Sequence, residues 1–221
     1  MKNPQEMYIA LPKGRVMREA IPILEEVGII PEKSFFDNNT RVLQFSTNKK
    51  NIKIIKVRSF DVATFLIYGA VQIAIIGSDV LDEFNHTEIY SPIDLDVGHC
   101  RMVVASSNEI LRRENPLEWS YVRVATKYPN ITKKHFEKRG VHAECIKLNG
   151  AMEIAPKMSL CRRIVDLVDT GKTLEANGLI EVEEITKVST RLAINRTAYK
   201  TRFDEIIEFI NKFESINSEK Q

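Results

Sequence analysis

Ile52-Lys-Ile-Ile-Lys-Val-Arg-Ser-Phe-Asp-Val-Ala-Thr-Phe-Leu-Ile-Tyr-Gly-Ala-Val-Gln-Ile-Ala-Ile-Ile-Gly77 is the stretch that decides the fold. Ile52 to Val57 is rich in β-branched residues and reads as a strand. Asp61 can accept the free N–H groups of a helix that runs through Phe65, Leu66 and Tyr68, and Gly69 supplies the stop. Val71 to Ile76 is a continuous apolar run closed by Gly77, as in a strand buried on both faces. Strand, helix and strand in so short a span make a βαβ unit, and such units predict an α/β fold with mainly parallel sheets.

Upstream, Tyr8 to Leu11 reads as a strand ending in the turn Pro12-Lys-Gly-Arg15. Val16, Ala20, Ile23, Leu24 and Val27 follow at helical spacing, with Gly28 as the stop. Pro22 inside this helix is expected to kink or weaken it. Arg41 to Phe45 reads as another strand. Downstream, Met102 to Ala105, Val122 to Ala125, Ala143 to Leu148, Arg163 to Val168 and Arg191 to Ile194 read as strands. Helices are expected over Thr132 to Arg139, over Ala151 to Met158 despite Pro156, and from Thr173 or Leu174 to Gly178. A last helix, capped by Thr197 or Thr201, carries an apolar stripe at Phe203, Ile206, Ile207, Ile210 and Phe213. The two sets, joined near Ser91 to Val97, predict a two-lobed protein. Residues 1–94, completed by 186–221, form lobe I, and residues 95–185 form lobe II. A ligand belongs in the cleft between the lobes, beyond the carboxyl ends of the strands.

Composition excludes several functions. Hydrophobic residues are 43% of 221, enough for a sizeable core, and the net charge of +2 gives no electrostatic footprint for nucleic acid or an anionic membrane. Cys100, Cys145 and Cys161 form no CxxC, which fits a reducing compartment. His86, His99, His135 and His142 show no metal-ligand spacing. The polar start Met1 to Met7 is no signal peptide, and no apolar run is long enough to span a bilayer. The expected place is the cytoplasm.

The chemistry concentrates in Asp166-Leu-Val-Asp-Thr-Gly-Lys-Thr-Leu174, where a buried strand enters a small turn and then a helix. Backbone N–H groups of Thr170, Gly171, Lys172 and Thr173 can converge on an anion there. Asp166 and Asp169 would repel a phosphate but suit the hydroxyls of a sugar whose phosphate lies in the turn. A Walker A loop does not fit, because its first glycine would fall on Asp166. A second signal is Lys13-Gly14-Arg15, two cations beside a glycine at a strand end. A third is the pair Arg41 and Arg58, whose guanidinium forks match phosphate oxygens.

In order and spacing, these segments resemble the short form of the ATP phosphoribosyltransferase family. The likeness covers nearly the whole chain: Ile9 to Arg15, Val57 to Val62, Tyr68 to Ala70, Ile76 to Val80, Cys100-Arg101, Val124 to Tyr128, Leu148 to Gly150, Glu153 to Pro156, Ile164 to Leu174, Asn177 to Leu179 and Arg191 to Asn195. The resemblance implies a two-lobed fold like that of periplasmic binding proteins. It implies the first reaction of histidine biosynthesis, in which ATP and phosphoribosyl diphosphate give N1-phosphoribosyl-ATP and pyrophosphate, with Mg²⁺ as cofactor. It also implies a homodimer that joins a separate regulatory subunit resembling histidyl-tRNA synthetase, because the chain stops near the length of the catalytic core.

The resemblance assigns Lys13, Arg15, Arg41 and Arg58 to the diphosphate leaving group, with Gly14 in the same turn. Asp166 and Asp169 then hold ribose hydroxyls, Asp169, Thr170, Gly171, Lys172 and Thr173 surround the 5′-phosphate, and Asp94 and Glu153 lie near ATP. The chain departs from the family pattern at Gln72, Ala74, His99 and Ala151; Ala151 removes a possible hydroxyl donor to a ligand. Two other readings are a small-molecule binder without catalysis and a scaffold subunit with a dead site. The retained cations and Asp169 argue against the second.

Overall fold

The computed structural model describes residues 6–37 and 39–219. The first leg of the chain runs β1 (Met7–Pro12), α1 (Arg15–Glu26), a 3-10 turn (Lys33–Phe36), β2 (Gln44–Ser46), β3 (Ile52–Val57), α2 (Ser59–Ile67), β4 (Ile73–Gly77), α3 (Ser78–Phe84) and β5 (Ile89–Asp94). The middle holds β6 (Cys100–Ser107), α4 (Asn108–Arg113), β7 (Tyr121–Thr126), α5 (Pro129–Glu137), β8 (His142–Lys147), β9 (Arg163–Val168), α6 (Lys172–Ala176) and β10 (Leu179–Val188). The chain returns through β11 (Thr190–Asn195), α7 (Arg196–Thr201) and α8 (Phe203–Glu219). Two compact units result: one takes in the chain to Gly98 and again from Ser189, the other is His99–Val188.

Each unit has one sheet, ordered β2-β3-β1-β4-β11-β5 in the first and β10-β6-β9-β7-β8 in the second. Both sheets are mixed, where mainly parallel ones were expected. The βαβ units make β3-β1-β4 and β9-β7-β8 parallel, but β2, β11, β5, β6 and β10 pair antiparallel. β11 joins the first sheet on the chain's return and runs against β4.

Every residue of β1 is buried. Ile9 and Leu11 face α1 and α8 through Ala20, Leu24, Ile206, Phe209 and Phe213, while Tyr8 and Ala10 face α2 and α3 through Val62, Leu66 and Val80. A sheet covered on both faces needs continuous apolar strands, which is why the run at β4 was legible. In the second unit Val103, Ala125 and Ile164 pack with Met152, Leu174 and Leu179.

Several local expectations are corrected. Arg58 rather than Asp61 is the N-cap of α2, and Asp61 sits in the first turn, where its charge meets the positive end of the helix. The last helix, expected to start at a Thr197 or Thr201 cap, is preceded by the short α7, which Asn195 caps by accepting Ala198 N–H at 2.8 Å while donating to the Leu66 carbonyl at 2.8 Å; Thr201 Oγ1 donates back to the Thr197 carbonyl at 3.0 Å. Residues 151–158 form only the 3-10 turn Met152–Ile154, since Pro156 lacks the N–H that a longer helix needs. α1 runs unbroken through Pro22, because proline costs it a single bond on an exposed flank. Phe203 is half exposed and stacks on Tyr199 instead of joining the buried stripe.

Candidate functional site

In the first unit the parallel register Pro12↔Val57 makes β1 and β3 end level with each other. Lys13 N–H donates to the Val57 carbonyl at 2.8 Å and closes that edge. The chain then turns at Gly14, whose φ of 110° and ψ of −144° suit only a residue without Cβ. Lys13, Gly14 and Arg15 therefore sit at the start of α1, which has no side-chain cap. Arg15 reaches the Gly98 carbonyl at 3.3 Å and lies 3.7 Å from Glu19.

Arg58 leaves β3 at the same edge. β2 pairs with β3 as Gln44↔Ile55, and one further bond runs from Lys56 N–H to the Leu43 carbonyl at 2.8 Å. The strand expected to begin at Arg41 begins at Gln44, so Arg41 lies in the segment just before the ladder. Among the described residues Lys13, Arg41 and Arg58 are exposed and form no ion pair, so the edge carries an uncompensated positive field.

Sequence reasoning missed Lys56. Its signal was the period of two in Ile52, Ile54 and Lys56, which puts the lysine on the buried face of β3. It is 8% exposed, with Nζ 2.8 Å from the Phe35 carbonyl and 4.8 and 5.0 Å from the ring centroids of Phe35 and Phe45. Burial lowers its pKa from the ordinary lysine value; Lys13 adds to the lowering and Asp37 opposes it.

Asp94, expected near ATP, has both oxygens engaged inside the first unit. Oδ2 takes Ser189 Oγ at 2.8 Å and Arg191 Nη2 at 3.0 Å, and Oδ1 takes Asp96 N–H at 3.0 Å. Its evident work is to brace β5 against β11.

In the second unit β9 delivers Asp166 and then the turn Asp169-Thr170-Gly171. Gly171, at φ 79°, opens α6, and buried Leu174 pins that helix to the core. Asp166 Oδ1 accepts Leu167 N–H at 2.8 Å. Glu153, Asp166, Asp169, Thr170, Gly171 and Thr173 line one cavity of about 80 Å³. That is far below the roughly 300–1,000 Å³ of a drug-sized pocket and leaves room for one small group, beside three carboxylates. Lys172 lies outside the lining, on the exposed side of the turn.

A larger hollow of about 810 Å³ opens at the other end of the same sheet, beside Trp119, Tyr121, Arg162 and Arg163. Both of these arginines pair with Glu114, and Arg163 stacks 3.7 Å over Trp119. Size does not make it the reaction site, because it lies at the amino ends of β7 and β9, away from the edge that binds ligands in α/β sheets.

A family model described as HisG: ATP phosphoribosyltransferase matches residues 58–215, a span that holds Arg58, Glu153 and the whole 166–174 loop. The chain belongs to the ATP phosphoribosyltransferase family. It is 56% identical to the ATP phosphoribosyltransferase of Rhizorhabdus wittichii over 208 residues, 94% of each chain. It is 55% identical to that of Rhodospirillum rubrum, over 94% of this chain and 92% of the other. Among solved structures, it is similar to the ATP phosphoribosyl transferase (HisG:HisZ) complex from Thermotoga maritima. There the TM-score is 0.79 at 32% identity, over 95% of this chain and 98% of that one. The arginine-bound ArgBP of Thermotoga maritima shares the fold alone, with a TM-score of 0.59 at 11% identity. The chain is thus an ATP phosphoribosyltransferase-family enzyme of the two-lobed, binding-protein-like fold. It is a transferase that joins ATP and phosphoribosyl diphosphate in the first step of histidine biosynthesis. No helix among the described residues is long and apolar enough to cross a membrane.

Proposed function

We propose that the transfer is driven by charge placed where charge develops. Adenine N1 of ATP attacks the anomeric carbon of phosphoribosyl diphosphate, the C1–O bond breaks, and pyrophosphate leaves with the electron pair. Lys13, Arg15, Arg41 and Arg58 meet the departing diphosphate, with Gly14 allowing close backbone approach. Fixed cations aimed at a developing anion lower the barrier without reorganising during the reaction. The observation that carries this reading is that Lys13 and Arg58, at the ends of β1 and β3, and Arg41, just before β2, are exposed and form no ion pair among the described residues, while Arg15 pairs with Glu19.

Asp166 and Asp169 take ribose hydroxyls, and Thr170, Gly171, Lys172 and Thr173 surround the 5′-phosphate. The small cavity they line, apart from Lys172, supports this role. Glu153, on the same cavity, and Asp94, held by Ser189 and Arg191, are the carboxylates proposed for the ATP side. N1 is already a usable nucleophile, so alignment contributes more than a general base would.

Mg²⁺ is the proposed cofactor. Among the described residues no three His, Cys, Asp or Glu side chains converge on a common point. In this reading the ion would arrive on the substrate's diphosphate, as Mg²⁺ commonly does, and bound there it would neutralise charge on the leaving group. The proposed assembly is a cytoplasmic homodimer joined to a regulatory subunit, in keeping with the HisG:HisZ complex of the Thermotoga maritima relative.

The test is pyrophosphate release by the purified chain from ATP, phosphoribosyl diphosphate and Mg²⁺, with the product weighed by mass spectrometry. Release that needs all three, with and without the added regulatory subunit, is expected. Release that continues undiminished in a metal chelator would remove Mg²⁺ from the scheme.

A further inference from the structure

Ile52, Ile54 and Lys56 form one row on the buried face of β3, at 8%, 0% and 8% exposure. The third place in such a row normally takes an apolar side chain. An ammonium there loses hydration, a loss that a methionine of similar shape would avoid. Three contacts offset it: the Phe35 carbonyl at 2.8 Å and the faces of Phe35 and Phe45. The two rings meet edge to face at 5.1 Å, so the ammonium lies in a made pocket.

The same residue also holds the chain on the far side of this segment. Lys56 N–H donates to the Leu43 carbonyl at 2.8 Å. One residue thus grips the chain at Phe35 with its side chain and at Leu43 with its backbone. Between these two grips lies Arg41, two residues before Leu43 in the segment that leads into β2. Cations gathered to meet one diphosphate would repel each other until the anion arrives, so holding them together needs a separate restraint.

We propose that Lys56 is a positioning residue for the transfer, holding the Arg41 segment against β3 so that Arg41 and Arg58 stand together before the diphosphate binds. The proposal rests on the reading that Arg41 and Arg58 take the diphosphate. It gives the buried ammonium a use that packing alone does not, since preorganised groups need no ordering at the moment of reaction. The charged groups that bear on Lys56 are Lys13, from the turn after β1, and Asp37, after the 3-10 turn.

The test is a double-mutant cycle with Lys56→Met and Arg41→Ala in the full chain. Lys56→Met is expected to lower kcat about tenfold with KM for ATP unchanged, and to speed trypsin cleavage after Arg41. The double variant is expected to be no worse than Arg41→Ala alone, because Lys56 acts through Arg41. Losses that multiply would overturn the proposal while leaving the diphosphate reading intact. An Arg41→Ala enzyme with unchanged kinetics would overturn both. Lys56→Gln, which keeps one donor for the Phe35 carbonyl, is expected to fall between wild type and Lys56→Met, and it carries the cycle if the methionine variant does not fold.

Discussion

In the proposed transfer the cationic edge of the first unit and the loop of the second both meet phosphate, but with opposite resources. The edge relies on side-chain charge: Lys13, Arg41 and Arg58 are exposed and form no ion pair among the described residues. The loop relies on backbone: a left-handed Gly171, a helix start and two carboxylates around a cavity of about 80 Å³. The difference matches what each must do. A leaving diphosphate gains charge during the reaction and rewards fixed cations. A 5′-phosphate keeps its charge throughout, so its site needs only to bind and orient.

Breaking the edge should therefore cost turnover, and breaking the loop should cost binding. Arg58→Ala is expected to lower kcat by about 100-fold or more with KM for ATP nearly unchanged, because its partner charge appears in the transition state. Equal losses in binding and turnover would erase the contrast. Asp169→Ala is expected to raise KM for phosphoribosyl diphosphate by roughly tenfold at modest cost in kcat, as loss of hydrogen bonds to a charged group would. An unchanged KM would remove Asp169 from the ribose.

The smallest effect concerns the frame behind the loop. Glu183 on β10 pairs with Arg139 at 2.8 and 2.9 Å and with His135 at 3.1 Å, tying α5 to that edge strand. Burial alone would raise its carboxyl pKa, but His135 and Arg139 outweigh burial and hold it below the ordinary glutamate value. A depressed folded pKa means the stabilisation is present above the unfolded value and fades as pH falls through the folded one. Glu183→Gln is expected to lose about 1–3 kcal/mol of stability at neutral pH, with the gap to wild type closing below about pH 4. Denaturant melts at pH 7 and pH 3.5 would show this, and a gap of equal size at both would refute it.

The strands the sequence hid are instructive. β5 and β10 are both edge strands. β5 carries Pro92, which only an edge tolerates, and β10 breaks its alternation with register shifts at Glu181/Glu183 and Glu184/Thr186. Edges are half solvated, so they lack the apolar run that announced β4. α3 and α4 are one to two turns long and too short for helical periodicity to register. At the site, the 166–174 turn was legible because strand, glycine and helix start are contiguous. The side chain of Lys172 lies outside the cavity lining, since which side of a turn a side chain takes depends on its φ and ψ values.

What the sequence determined by itself was the α/β alternation, the buried central strands, the strand–turn–helix loop at 166–174 and the family. Each of these is written in contiguous residues through periodicity, glycine placement and motif order. What only the tertiary structure decided was the mixed sheets, the bracing of Asp94 by Ser189 and Arg191, and the grip of Lys56 on Phe35 and Leu43. Those depend on which distant segments become neighbours. Burial, strand register and counter-charge are properties of neighbours in space, and no local pattern in the chain encodes them.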